Sequence, residues 1–190
     1  MSPPPHLQFK LANEPDEFDQ IHQLNHRTFT GEIPQHPGNP TGRLVDRFHA
    51  ENTYAICLDG RQLVGMVALR GRRPFSLDGK LPDLDSHLPA GRRICEIRLL
   101  AVEQPYRHSH VFPGLVLKVM EHFIREGFNL AIISGTVRQS RLYRHLGFVP
   151  FGPLVGTGEA VFQPMQLSLE NFLSRTKLPP PAPGKPPSAQ

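Results

Sequence analysis

The sequence predicts an α+β fold, a mixed central β-sheet flanked by helices. Two β-rich runs, TYAICL (53–58) and LVGMVAL (63–69), are joined across Asp59 and Gly60 and read as an antiparallel hairpin. ICEIRLLAV (94–102) is an apolar central strand that leads through a basic bend into an amphipathic helix, and LAIIS (130–134) follows as a second buried strand. Strand, helix, strand at this spacing implies a right-handed parallel crossover, so parallel and antiparallel neighbours are expected in one sheet.

Residues 1–6 read as a flexible N-terminus, 7–172 as one folded domain and 173–190, rich in proline, as a disordered tail or linker. A first strand is expected from His6 to Leu11. A helix follows, with a capping cluster from Asn13 to Asp16, Pro15 in its first turn and an apolar face of Phe18, Ile21, Leu24 and Phe29. GEIPQHPGNPT (31–41) is a loop, and a short helix is expected over 42–49. After the hairpin, 70–92 has no sustained period and reads as a long excursion with one helical turn. Leu115, Val116, Val119, Met120, Phe123 and Ile124 recur at helical spacing and predict a helix over 113–126, with Pro113 at its first position and Gly127 closing it. Another helix spans 137–146 and stops at Gly147. FVPFG and 162–169 supply the last strands, with Pro150 and Pro164 favouring edges or bends.

Composition narrows the function classes. The 190 residues suffice for one core without staples, and Cys57 and Cys95 read as buried free thiols of a reducing compartment. No apolar run approaches the length of a membrane span and the N-terminus lacks a signal-peptide order, so a cytoplasmic protein with no membrane partner is expected. The net charge of +4 comes from 16 Arg against 5 Lys, a fork-shaped cation that suits carboxylates and phosphates. Nucleic acid is not expected as a partner, since no recognised motif accompanies the arginines and tryptophan is absent. No metal is expected either: His108 and His110 lack a third ligand at a recognisable spacing, and His22 and His26, four apart, fit a wet helix face as well as a chelate.

The bend before the 113–126 helix carries Arg107, His108 and His110. A helix start with free N–H groups behind those cations suits an anion, above all a phosphate; the other reading is a solvated crossover, because phosphate-wrapping glycines are missing.

LLAVEQPYR leading into a helix and SRLYRHLGFVPFG after the next strand, within this order of elements, resemble the GNAT (N-acetyltransferase-like) acyltransferase superfamily over most of 7–172, most specifically in LYRHLGF (142–148). More loosely the chain is similar to acetyltransferase-like domains fused to aminotransferases in bacterial proteins. The resemblance implies a GNAT-like acyl-CoA N-acyltransferase fold. It also implies acetyl-CoA or another acyl-CoA as co-substrate, whose pantetheine arm would pair with Leu100, Ala101 and Val102. The family's phosphate loop maps onto Arg107, His108, Ser109, His110, Val111 and Phe112. It is degraded here, because His110 and Phe112 stand where glycine or a small residue is expected and add bulk near the pyrophosphate. Relatives that make acyl-homoserine lactones or N-acyl amino acids take acyl groups from acyl carrier protein and often lack the intact loop.

The resemblance also implies roles. Tyr143 would give a proton to the departing thiolate, or is simply a buried tyrosine with a partner. Glu96 would be the general base, or pairs structurally with Arg98; strict alternation puts Glu96, Arg98, Leu100 and Val102 on one strand face. Arg27, Glu32, Asp46, Arg70 and Arg73 are the polar candidates for an acceptor site. The reading is an N-acyltransferase moving an acyl group, acetyl in the first instance, from acyl-CoA to the amine of a small molecule. The alternatives are a carrier-protein-dependent synthase and a noncatalytic acyl-CoA-binding regulatory module. A homodimer or a fused or neighbouring enzyme stays open as partner.

Overall fold

The computed structural model describes residues 6–33, 36–157 and 160–176. The chain forms two compact units, residues 1–73 with 96–120 and residues 74–95 with 121–190.

The first unit is an antiparallel run of β1 (Leu7–Leu11), β2 (Thr53–Asp59), β3 (Gln62–Arg70) and β4 (Ile94–Val102). The β2–β3 turn is closed by Gly60 at φ +60°, a conformation that glycine adopts without cost. Helix α1 (Pro15–His26) starts where expected. The Glu17 carboxylate accepts the backbone N–H groups of Asn13 and Glu14 at 2.9 and 3.1 Å and the Lys10 ammonium at 2.8 Å. Ile21 and Leu24 bury against Tyr54, Ile56, Leu58, Leu63, Met66, Ala68 and Ala101. Phe29, expected on the same helix, belongs instead to a π-helical turn, Arg27–Glu32, and joins the same cluster. Helix α2 (Val111–Arg125) begins two residues earlier than its proline signalled. Its first turns lie on the opposite sheet face, where a Cβ on Gly65 would sit 2.7 Å from Val111.

The helix expected over 42–49 is absent; this stretch is irregular and ends in a 3-10 turn, His49–Glu51. Asp46 is the physical reason. Its side chain takes the Phe48 N–H at 2.9 Å in a local turn and is held by partners from other elements, which competes with helix formation.

In the second unit β8 (Ala160–Ser168) pairs antiparallel with β5 (Leu130–Thr136) on one side, and with β6 (Val149–Pro150) and β7 (Val155–Thr157) on the other. Pro164 is thus not on an outer edge; it falls between the registers of β6 and β7, where its missing N–H breaks no ladder, and its carbonyl accepts Phe151 N–H at 3.0 Å. The excursion at 74–93 holds two short 3-10 turns, Leu77–Gly79 and Leu84–His87, and its Phe75, Leu77, Leu81 and Leu84 are buried with Leu130, Ile132, Phe151, Val155 and Phe162. Helix α3 (Ser140–Leu146) closes on Gly147 at φ +100°. Helix α4 (Leu169–Thr176) runs past the expected boundary at 172, anchored by buried Phe172. The expected tail from 177 onward and residues 1–5 lie outside the described residues. Cys57 and Cys95 are free and buried, and burial pushes the Cys57 thiol up to about 11. Among the described residues no helix is long and apolar enough to cross a membrane.

Candidate active site

The site starts from one irregularity in β4. Met66 of β3 pairs with Ala101 and Ala68 pairs with Arg98, so Leu99 and Leu100 together oppose Val67 alone. This is a β-bulge, and Leu99 adopts φ +53°, a left-handed conformation that a leucine takes only under constraint. Met66, Ala68 and Arg70 share one face of β3, and their partners Ala101, Arg98 and Glu96 therefore share one face of β4. The expected alternation is corrected at this point. Glu96 and Arg98 lie with Ala101, whereas Val102, paired with Gly65, is on the α2 face.

Charged groups gather on the Glu96–Arg98–Ala101 face. Arg98 grips Asp46 with two parallel bonds, Nη1 to Oδ1 at 2.8 Å and Nη2 to Oδ2 at 3.0 Å. The Glu96 carboxylate, fully buried, stands 3.6 Å from Arg98 Nε. Arg70, 1% exposed, pairs with Glu51 at 2.5 Å, and Arg72 reaches the other Glu51 oxygen at 3.1 Å. The guanidinium carbons of Arg70, Arg98 and Arg47 lie 3.9, 4.8 and 4.5 Å from the centre of the Phe48 ring, which they share as a cation–π platform. Burial would raise the Asp46 pKa, but the bonds from Arg98, the Phe48 N–H and the Asn52 amide outweigh it and hold the carboxyl below its usual range. Hydrogen bonding to Arg70 first, with Arg72 nearby, does the same for Glu51.

The expected phosphate loop is occupied by protein groups. Ser109 Oγ accepts the Val111 N–H at 3.2 Å and donates to Tyr106 O at 2.7 Å, capping α2. Arg107 donates to Val102 O at 3.0 Å and pairs with Glu32, while Arg27 pairs with Glu103. Thus the two ends of the π-helical turn are tied to the strand-to-helix connection. His108 and His110 are exposed there, Phe112 is half-buried and Val111 is buried. A polar cleft of about 370 Å³ opens beside Arg27 and Glu103, bounded by Gln20 and Gln23 of α1 and by Tyr106.

In the second unit Tyr143 lies on α3 with its ring over Gly135 of β5, where an added Cβ would meet the ring at 3.0 Å. Its hydroxyl donates to Gln139 Oε1 at 3.2 Å. Burial raises the phenol pKa, with hydrogen bonds from Thr136 opposing it, so the group is protonated at neutral pH.

Of the acceptor-site candidates, the structure brings Asp46 and Arg70 together with Glu96 and Arg98. Arg27 and Glu32 belong to the other group, near Arg107, and Arg73 is exposed on the loop after β3. Sequence reasoning missed Phe48, Glu51, Asn52 and Tyr54. Nothing local marks them, since Asp46 and Arg98 are 52 positions apart. His22, read as fitting a wet helix face, is buried and packs on His49 instead, and His26 Nε2 accepts Asn39 N–H at 3.4 Å.

The model of a family described as N-acyl amino acid synthase FeeM matches residues 20–168. Among solved structures, FeeM from uncultured soil microbes aligns at a TM-score of 0.72 and 18% identity, covering 90% of this chain and 96% of that one. The CoA-dependent acyl-homoserine lactone synthase BjaI aligns at 0.75 and 20% identity, covering 92% and 91%. A structure from Lactobacillus plantarum described as a putative N-acetyltransferase aligns at 0.63 and 14% identity, covering 86% and 98%. No curated protein matches in sequence. The α+β, GNAT-like fold expected from the sequence is the fold of these structures.

Proposed function

The chain is an acyltransferase belonging to the N-acyl amino acid synthase FeeM family, and on that premise we propose that it joins an acyl thioester to the amine of an amino acid. This narrows the first expectation of an unspecified small amine. One observation carries it: two guanidiniums, Arg70 and Arg98, and three carboxylates, Asp46, Glu51 and Glu96, share one face beside the β4 bulge. These groups are paired with one another, Arg98 with Asp46 and Arg70 with Glu51, so a zwitterion would bind by exchanging partners, its carboxylate taking the arginines and its ammonium the acids.

In the proposed reaction Glu96, directly or through a water, takes a proton from the ammonium. The free amine attacks the thioester carbonyl, a C–N bond forms, and as the nitrogen gives up its second proton to solvent the C–S bond breaks. The sulfur leaves as a thiol with a proton from Tyr143, which regains one from solvent. The backbone N–H of Leu100 or Ala101, redirected by the bulge, would polarise the carbonyl oxygen.

For the donor, two observations favour an acyl carrier protein over free CoA. Arg107 and the Val111 N–H already have protein partners. In the second unit Arg138, Arg141 and Arg144 are exposed along one short stretch and enter no ion pair among the described residues. An acidic carrier would dock on such a surface and bring its own phosphopantetheine.

The deciding experiment offers dodecanoyl-CoA, acetyl-CoA or dodecanoyl carrier protein with each common amino acid and reads products by mass spectrometry. An N-dodecanoyl amino acid supports the proposal. An acetylated non-amino-acid amine as the sole product would refute it. If the carrier is the donor, its kcat/KM falls steeply between 0.05 and 0.5 M salt, because the Debye length shrinks from roughly 14 to 4 Å.

A further inference from the structure

We propose that Asn52, Tyr54 and His49 are positioning residues for Asp46, and through it for Arg98, with the paired imidazoles of His22 and His49 anchoring this buried relay. Its consequence for turnover rests on the acceptor-site reading above; the relay itself rests on geometry alone.

The contacts form an unbroken chain. Asn52 Nδ2 donates to Asp46 Oδ1 at 3.0 Å and to Tyr54 Oη at 3.2 Å. Tyr54 Oη lies 3.2 Å from His49 Nδ1, and His22 Nε2 lies 3.3 Å from that same nitrogen. Tyr54 is 1% exposed and His22 9%, so water does not substitute freely at these two, while His49 and Asn52 are half-buried.

Donor and acceptor counting fixes the protons. The Asn52 amide has two N–H groups and gives one to Asp46 and one to Tyr54. The Tyr54 oxygen, accepting there, gives its own proton to His49 Nδ1. That nitrogen must then be bare, so His49 carries its proton on Nε2, and its one lone pair is shared by the Tyr54 hydroxyl at 3.2 Å and the His22 Nε2–H at 3.3 Å. The count asks for a bare Nδ1 on His49 and, of His22, only a proton on Nε2. A proton on His49 Nδ1 would face the Tyr54 hydroxyl and the His22 N–H, strip Tyr54 of its acceptor and disturb the amide that holds Asp46.

The groups around the pair carry both signs of charge. From α1 it faces His22 itself, Asp19 and the edge of Phe18, 5.4 Å from the His49 ring. From the irregular stretch it faces Arg43, which is paired with Asp19 at 2.6 Å. Tyr54 comes from β2, and Arg98 of β4 is reached only across Asp46. Burial, then the neighbouring His49, pushes the His22 pKa down, while Asp19 opposes the shift.

The test is nitrogen-15 NMR of the imidazoles in the full chain. At pH 7.5 His49 should show a bare Nδ1 and a protonated Nε2. Asp46→Asn, three hydrogen bonds away, should move the His49 Nδ1 resonance; an unmoved resonance overturns the relay, and this readout needs no substrate. In the acylation assay Tyr54→Phe should raise the KM for the amino acid about tenfold, with kcat within about twofold and the donor KM unchanged. It should also shift the acidic limb of kcat/KM. A lower melting temperature with an unchanged acceptor KM and pH profile means a merely structural role and overturns the proposal. Asn52→Leu, similar in volume, repeats the test should Tyr54→Phe not fold. If the resonance moves but Asp46→Asn leaves the acceptor KM unchanged, the relay stands and the acceptor-site reading fails.

Discussion

Tyr143 shows how a residue's chemistry follows from its packing. Its ring rests on Gly135, where any side chain would collide, and the half-buried residue donates its hydroxyl to Gln139. Burial raises its pKa above 10.0, so as a proton donor it is in the required form throughout the neutral range. Tyr143→Phe keeps the ring and its packing but removes the proton. Steady-state kinetics should show kcat lower by about a hundredfold with an unchanged melting temperature. In the wild type the basic limb of kcat should lie above pH 10, and a limb near 8 would assign the proton elsewhere. The tyrosine was legible because LYRHLGF is a local pattern. Arg98 and Asp46 differ: their two bonds join positions that no local pattern relates.

At the scale of elements, the informative departures are the β4 bulge and the lost 42–49 helix. Both arise where local preference yields to a tertiary contact. LLAV gives no sign that Leu99 turns left-handed, and DRFH reads as a helical stretch until Asp46 is claimed by Arg98. Close approach of α2 to β1 sets another constraint, since a Cβ on Gly114 would fall 2.1 to 2.6 Å from three carbons of the Phe9 ring. Gly114→Ala should therefore destabilise by about 1–3 kcal/mol in urea unfolding. Gly38, with nothing within 4 Å of its added Cβ, is the control and should tolerate alanine without change.

At the scale of the whole molecule, pH links these sites to stability. His22 and His122 are buried and their pKa values lie below the ordinary 6.5, chiefly through desolvation. Their stabilisation is complete above 6.5 and is lost as pH falls from there toward the lower folded values, because the unfolded chain binds the proton first. Glu17 and Asp46 also have lowered values, where hydrogen bonds and ion pairs overcome burial, from ordinary values of 4.5 and 3.8. Their contribution is present above those values and disappears at lower pH. Thermal melts should thus show Tm falling below about pH 6.5 and falling again below about pH 4.5. A Tm that rises on acidification through 6.5 would contradict the buried neutral histidines.

The sequence by itself determined the main strands, the helices α1, α2 and α3, the hairpin turn at Gly60, and the closing glycines 127 and 147. These depend on neighbours within a few positions: hydrophobic period, capping and the conformational freedom of glycine. Tertiary structure alone decided which charges meet. It turned β4 so that Arg98 and Ala101 share a face, filled the loop at Arg107 with Glu32, and assembled Asp46, Asn52, Tyr54 and His49 into one network. The physical reason is that a buried polar group must find its partner wherever the fold brings one, and that partner is set by strand register rather than by sequence spacing.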